Sequence, residues 1–331
     1  MRICFYCHLS DSNLLDLVEF YKQDIDALKK LDEKLVIATR YKDIDWSCDI
    51  LFIWWWSYAL YPILRGRFFH SMKVVVTGTF NYNTLNYSRD YFHRPLWQKV
   101  LLKMAVKFSC MNIMVSKNEY DMMRTDWKYD NFCYSPHCID TNVYKFSIEN
   151  RNSDFVLMIS ALSVSNVKRK CVMEVIDAID IIRNENVKCN LKIAGIKGDA
   201  YELVRNYISY KGLDDYVELL GTISIEHKIE LLQSCRCYLQ PTNFEGFGVA
   251  IAEAMSCGAP IISSNRGEVS NVLGNAGILL ESNTPQNIAN AIKTIFRGGL
   301  NSKQYDARKR IETLFSIQRR YSDIKTIIQK M

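Results

Sequence analysis

The 331-residue chain reads as an α/β protein built from two Rossmann-like domains, each a parallel sheet with helices on its faces. Three observations predict this. Short apolar runs alternate with helical patterns through the first half, and the alternation begins afresh in the second. A polar stretch, Ser147-Ile-Glu-Asn-Arg-Asn-Ser-Asp154, separates the two rounds. Gly195, Gly221, Gly246 and Gly267 fall just past expected strand ends, where an open α/β sheet keeps its ligand crevice. The length suits two domains with a core each, at 1–150 and 151–305, followed by a helical tail at 306–331.

In chain order, the first-half strands are expected at Arg2–Cys7, Lys34–Ala38, Ile50–Trp54, Lys73–Thr77, Asn112–Val115 and Phe132–Ser135. Helices fit Asn13–Lys30, Arg94–Phe108 and Glu119–Arg124. In the second half, strands fit Phe155–Ser160, Leu191–Gly195, Val217–Leu220, Cys237–Gln240, Ala259–Ser263 and Gly277–Leu280. The helices between them fit Lys170–Arg183, Ala200–Tyr210, Glu226–Gln233, Val249–Ser256 and Pro285–Phe296. One long last helix is expected from about Ser302 to Lys330.

Composition, 48% hydrophobic and 24% charged, is that of a soluble globular protein. No leader is visible at Met1, and the most apolar run, Ile50–Leu64, holds Ser57 and Pro62 and is too short to span a bilayer. A cytoplasmic location is the expectation. The cysteines number 11 and fall mostly in apolar strands, so reduced, buried thiols are expected, Cys4-x-x-Cys7 included. Net charge is +6, and its surplus is local: between Tyr61 and Cys110 eight basic residues face one acid, Asp90. No nucleic-acid motif accompanies that patch, so no nucleic-acid partner is expected. Asp24-Ile-Asp26 and Asp43-Ile-Asp45 each spell a D-x-D metal motif. Their placement in a helix and before a strand makes both surface acids, and no metal or other cofactor is expected.

The most informative stretch is Gln240-Pro-Thr-Asn-Phe-Glu-Gly-Phe-Gly-Val-Ala-Ile-Ala-Glu-Ala-Met-Ser-Cys-Gly-Ala-Pro-Ile-Ile-Ser-Ser264. Pro241 stops a buried strand, Gly246 and Gly248 allow a tight turn, and good helix formers follow to Ser256, with Gly258 as cap. A glycine loop feeding a helix N-terminus is an anion site, because free N–H groups and the dipole point at the ligand. Glu245 lies on the loop and Glu253 inside the helix.

The phrase Pro-Thr-x-x-Glu-Gly-Phe-Gly-x4-Glu-Ala-Met-x-x-Gly-x-Pro closely resembles the signature of glycosyltransferase family 4, retaining, nucleotide-sugar-dependent enzymes of GT-B type. Ser135-Pro-His-Cys-Ile-Asp-Thr141 resembles the family's interdomain segment. The resemblance implies two Rossmann-like domains facing each other across a cleft, and a last helix packing back on the first. It implies that Glu253 binds the donor ribose and that Glu245 orients the donor sugar. Gly246, Phe247, Gly248, Val249 and Gly195 would line the donor pyrophosphate and nucleotide.

The family's cations follow the first strand of the second domain. Ala161 stands where its Arg is commonest, so Lys170, then Arg169, are the residues expected to meet the pyrophosphate. Lys168-Arg169-Lys170 is read as opening the next helix, where a cation cluster opposes the dipole and so favours a bound anion. Family analogy favours front-face transfer, though a double displacement through a carboxylate stays open.

The first domain departs from the family pattern. His8-Leu-Ser-Asp-Ser12 lacks the usual Gly-Gly loop, and Thr77, Gly78 and Thr79 stand where a His is usual. Thr77 and Thr79 are the acceptor-side candidates, His8 and His137 lesser ones. Trp54-Trp-Trp56 either lines an acceptor cleft or fills the core. The basic amphipathic segment 89–108 either lies on anionic lipid or packs on the sheet with solvated lysines.

The expected activity is metal-independent, retaining transfer from a nucleotide-diphosphate sugar to a glycan or lipid-linked acceptor in surface polysaccharide biosynthesis, cytoplasmic or peripheral on the inner face of the membrane. A nucleotide-sugar epimerase and a non-catalytic nucleotide-sugar binder are the alternatives.

Overall fold

The computed structural model describes residues 1–84, 90–149, 151, 153–299 and 303–331. Arg89 of the basic segment, Asn150 and Asn152 of the polar stretch, and Ser302 lie outside the described residues. The chain divides into two compact units, Met1–Cys138 with Phe315–Met331, and Ile139–Leu314.

The first unit holds β1 (Ile3–Cys7), β2 (Val36–Ala38), β3 (Ile50–Trp54), β4 (Lys73–Gly78), β5 (Met111–Met114) and β6 (Phe132–Tyr134), all parallel, in the order β2-β1-β3-β4-β5-β6. The continuous apolar runs Ile-Cys-Phe-Tyr-Cys and Ile-Leu-Phe-Ile-Trp are buried at every residue, as a sheet covered on both faces requires. The second unit holds β7 (Phe155–Ile159), β8 (Asn190–Ala194), β9 (Val217–Gly221), β10 (Cys237–Gln240), β11 (Ile261–Ser264) and β12 (Ile278–Leu280), in the order β12-β11-β10-β7-β8-β9. Strand order reverses between β1 and β3 in the first sheet and between β7 and β10 in the second. Each reversal opens a crevice beyond the carboxyl ends of those strands.

Several sequence expectations shift. The first division follows Cys138, ahead of the polar stretch, because Arg151 fastens that stretch inside the second unit. Its buried guanidinium donates to the carbonyls of Ser147, Leu232, Cys235 and Cys257, the last at 2.6 Å. The first helix breaks at Val18, whose extended backbone separates Leu14–Leu17 from Glu19–Lys29. The expected last helix is two, Lys303–Leu314 and Ile317–Lys330, interrupted at Ser316 with ψ 154°. The break falls beside the division between units. The helix Leu60–Phe69 is not announced by the sequence pattern, and the apolar run Ile50–Leu64 overlaps only its first half.

Asp24 is not the surface acid expected. It is buried and holds Arg320 in a two-pronged pair, Nε and Nη2 both at 2.9 Å, while Arg320 Nη1 donates to the Ser135 carbonyl at 2.6 Å. This pins the last helix to the first unit, where it packs on Glu19–Lys29. His137 stacks on Phe20 and Trp54, and burial pushes its imidazole down to about 3, with Arg320 adding to the effect. Trp54 and Trp56 fill the core, and Trp56 Nε1 donates to Asn112 at 2.8 Å. All eleven cysteines are free, and burial pushes Cys4 and Cys7 up to about 12, so neither is a thiolate near neutrality.

Candidate functional site

The site forms where β7 and β10 diverge in the second unit. After β10, Pro241 removes a backbone donor and ends the pairing, and the chain turns through Glu245 and Gly246 to Gly248. Gly248 takes φ +91°, a left-handed conformation suited to glycine, and the helix Val249–Ser256 starts at once. Ala252 is the first residue of that helix whose N–H returns to the helix, donating to the Gly248 carbonyl at 3.1 Å. The N–H groups of Gly248, Val249, Ala250 and Ile251 therefore have no intrahelical acceptor and carry the positive end of the dipole. The loop is clamped from behind. A Cβ on Gly267 would lie 2.1 Å from the Glu245 carbonyl oxygen, and the Glu268 N–H donates to that oxygen at 2.9 Å. Gly195, past β8, is equally constrained: a Cβ there would lie 2.2 Å from the Ser160 carbonyl oxygen.

Glu245 is held through one oxygen. Oε1 accepts from Arg169 Nη1 at 2.6 Å and from Gln240 Nε2 at 2.8 Å, and Gln240 in turn accepts from the Tyr238 hydroxyl. No bond reaches Oε2 among the described residues, which leaves it able to accept a hydroxyl. Arg169 also donates to the Phe244 carbonyl and to Asn166, so its guanidinium braces the loop.

Lys168-Arg169-Lys170 does not open a helix, as expected, but closes one. Val164–Arg169 is a short helix, Lys170 is its C-cap, and left-handed Cys171 precedes the helix Val172–Asn184. Cations at a C-terminus suit the dipole, so the expected opposition to it does not exist. Lys170 Nζ instead reaches across the switch point to the Ile159 carbonyl at 2.8 Å. Burial pushes its ammonium down to about 8, and Glu245 opposes that shift. Among the described residues no carboxylate forms an ion pair with it.

Glu253 lies in the helix, 2% exposed, with both oxygens engaged: Lys228 Nζ at 2.6 Å and the Tyr144 hydroxyl at 2.7 Å. Tyr144 is positioned in turn by Arg308, whose Nη1 donates to the Tyr144 carbonyl at 2.7 Å and to Ser256 Oγ at 2.8 Å. Neither Lys228 nor Tyr144 was found by sequence reasoning, since no motif surrounds them. Gln240 lay in the quoted phrase without a role.

The first unit holds the remaining candidates. Thr77 is fully buried, its hydroxyl donating to the Ile113 carbonyl at 3.3 Å beside Arg320. Thr79 is half-buried just past β4. Glu119, read in the sequence only as a helix start, accepts from the N–H groups of Phe80 and Tyr82 and so shapes the loop after β4. His8 stacks on Tyr41 and Tyr58. Among the described residues no cluster of His, Cys, Asp or Glu is arranged to hold a metal ion.

Two parallel six-stranded sheets, each with helices on its faces, give the chain the GT-B fold. Anabaena HepE, solved in complex with UDP, superposes at a TM-score of 0.81, with all of both chains covered at 17% identity. The chain belongs to the family of glycosyl transferases group 1, whose model matches residues 144–312, just over half of it. Among relatives, alpha-1,3/1,6-mannosyltransferase ALG2 of Dictyostelium discoideum is 27% identical over 236 residues, 66% of this chain and 54% of that one. O-antigen chain mannosyltransferase B of Escherichia coli is 27% identical over 146 residues, 44% of this chain and 36% of that one. The chain thus spans between about a third and a half of the length of these curated relatives.

Proposed function

We propose that the protein transfers a sugar, with retention of anomeric configuration, from a nucleotide-diphosphate sugar to a glycan or lipid-linked acceptor in surface polysaccharide biosynthesis. The observation that carries this is the geometry at the switch point. Lys170, bonded to the carbonyl at the end of β7, interacts electrostatically with both Glu245 and Glu253, and the free N–H groups of Gly248 and Val249 open the helix that carries Glu253, which suits a pyrophosphate at this switch point. Negative charge builds on the leaving phosphate as the glycosidic bond breaks, and oriented N–H groups with a nearby ammonium stabilise it without further reorganisation. Arg169 acts mainly by holding Glu245, whose Oε2 accepts a donor-sugar hydroxyl. Glu253, paired with Lys228, accepts from the ribose hydroxyls. The departing phosphate takes the acceptor's proton on the same face of the sugar, which gives retention.

In this reading the cations replace a metal. Relatives named as mannosyltransferases favour a hexosyl donor, and HepE, solved with UDP, leaves the base open. No helix among the described residues is long and apolar enough to cross a membrane. Our reading places access to a lipid-linked acceptor peripherally, on the inner face of the cell membrane.

The test is a melting-temperature screen with UDP-, GDP- and ADP-sugars, with and without a chelator. Ligand bound at 100 times its Kd stabilises the native state by about 2.7 kcal/mol. One donor should raise the melting temperature equally with the chelator present. No shift with any donor would refute the reading, and a shift lost on chelation would refute its metal independence.

A further inference from the structure

Two neighbouring helices of the first unit present an apolar face to solvent. In Leu96–Phe108, Leu102, Ala105 and Val106 are buried, while Leu96 is 77% and Trp97 62% exposed, with Val100 and Leu101 beside them. In Leu60–Phe69, Ile63 and Gly66 face inward, while Tyr61, Phe68 and Phe69 are exposed, Phe69 at 80%. The helices lie side by side. The Phe68 and Phe108 rings meet at 6.1 Å, and Arg67 donates to the Phe108 carbonyl at 2.8 Å. Single exposed apolar residues are ordinary, but a cluster on two packed helices marks an interaction surface.

The rim of this face is basic. Arg65, Arg67, Lys103 and Lys107 are exposed and Lys99 half-buried. The one acid between Tyr61 and Cys110, Asp90, is buried and spent on the Thr84 hydroxyl and the Phe92 N–H. One exposed acid, Asp130, shares a crevice with Arg67 and Lys107, so cations outnumber it on this rim. Aromatic and aliphatic side chains with such a rim complement an anionic bilayer: rings enter the interface and lysines reach the headgroups.

At one edge the face opens into a crevice of about 770 Å³, walled by Tyr41, Trp56, Tyr58, Tyr61, Trp97 and Leu101. The crevice lies past the carboxyl ends of β2 and β3, beside the switch point of the first sheet. Tyr61, Trp97 and Leu101 belong to both crevice and face.

We propose that this two-helix face docks the protein on an anionic bilayer, so that the crevice receives the head of an acceptor whose lipid stays in the membrane. The proposal specifies the partner surface of the peripheral association put forward above and rests on that reading, but not on the donor site.

The test is co-sedimentation with vesicles of phosphatidylcholine alone and with about a third phosphatidylglycerol, the latter also at high salt. Trp97, the one exposed tryptophan among the described residues, serves as reporter through quenching by brominated lipid. The wild type should bind the anionic vesicles, release at high salt and show quenching. Lys103→Gln with Lys107→Gln should weaken binding by about fivefold per charge removed, and Phe69→Ser with Trp97→Ser by about tenfold or more.

Melting temperatures and UDP or GDP binding should be unchanged in both variants, which separates this face from unfolding and from the donor site. If the wild type fails to bind nucleotide yet the variants lose vesicle binding, the donor reading falls and this one stands. Equal binding to both vesicle types, or unaltered binding by both variants, would overturn the proposal. So would a lipid-free dimer dissolved by the Phe69 and Trp97 substitutions, which would make a second copy the occupant.

Discussion

Replacing Glu253 by Gln separates two roles that one side chain combines. The carboxylate is buried against Lys228 at 2.6 Å and Tyr144 at 2.7 Å, and the Lys228 side chain is 20% exposed. Breaking a fully buried pair by removing one partner costs about 3–5 kcal/mol. Here Lys228 keeps some water and the Tyr144 hydroxyl at 3.2 Å, so a loss of about 1–3 kcal/mol is expected. In a unit of this size that lowers the melting temperature by about 2–4 °C per kcal/mol.

Nucleotide binding responds separately. A bond to a charged acceptor contributes about 1.5–3 kcal/mol, so losing one ribose contact weakens Kd by about tenfold or more. Calorimetric titration of UDP and GDP into wild type, Glu253→Gln and Glu253→Gln with Lys228→Met measures both roles. The second substitution should restore much of the stability, because no buried cation is left unpaired, but none of the affinity. A destabilised Glu253→Gln protein that binds the wild type's nucleotide at unchanged Kd would refute the ribose role and leave only a structural ion pair.

Two more predictions concern named groups. Lys170, pushed down to about 8 in the free protein, must be charged to meet a pyrophosphate, so nucleotide-diphosphate affinity should be flat below that pH and fall towards tenfold per unit above it. Lys170→Met should remove this pH dependence, and an unaltered profile in that variant would assign it elsewhere. Its stability sign is opposite: the unfolded chain holds the proton more tightly, so this group's penalty is present below about 8 and is relieved as pH rises further. In the first unit, Arg320→Met should destabilise by about 3–5 kcal/mol by stranding buried Asp24, and Asp24→Leu in the same chain should recover most of it. Denaturant titration of the three proteins checks this.

The second unit was the more legible in sequence because its chemistry is written locally. Pro241, Gly246, Gly248 and Gly258 each answer a backbone need within a few residues, and the β10-loop-helix unit follows directly from them. The partners of the site residues were not legible. Tyr144 lies 109 positions from Glu253, and Arg320 lies 296 from Asp24, so only the folded chain brings them together. Asp24 looked like a surface acid because a helix periodicity does not reveal a buried cation supplied from the far end of the chain. Lys170 interacts electrostatically with Glu245 of the loop, but its helix was not legible, since the left-handed turn at Cys171 carries no glycine to announce it. The helix Leu60–Phe69 escaped notice because its apolar residues face both the core and solvent, which erases the usual amphipathic stripe.

The most direct test of the central claim is turnover. UDP-glucose and GDP-mannose would each be incubated with the protein and a mixture of short alkyl glycosides and extracted glycolipids, in the presence of a chelator. Phosphorus and proton NMR would follow nucleoside diphosphate release and the anomeric signal of the product. Release of nucleoside diphosphate coupled to a new glycoside of unchanged anomeric configuration, abolished in Lys170→Met, is the result predicted. Inverted configuration would contradict retention. Conversion of the donor sugar into an epimer without an acceptor, or tight donor binding with no turnover across the acceptor panel, would contradict the transferase reading itself.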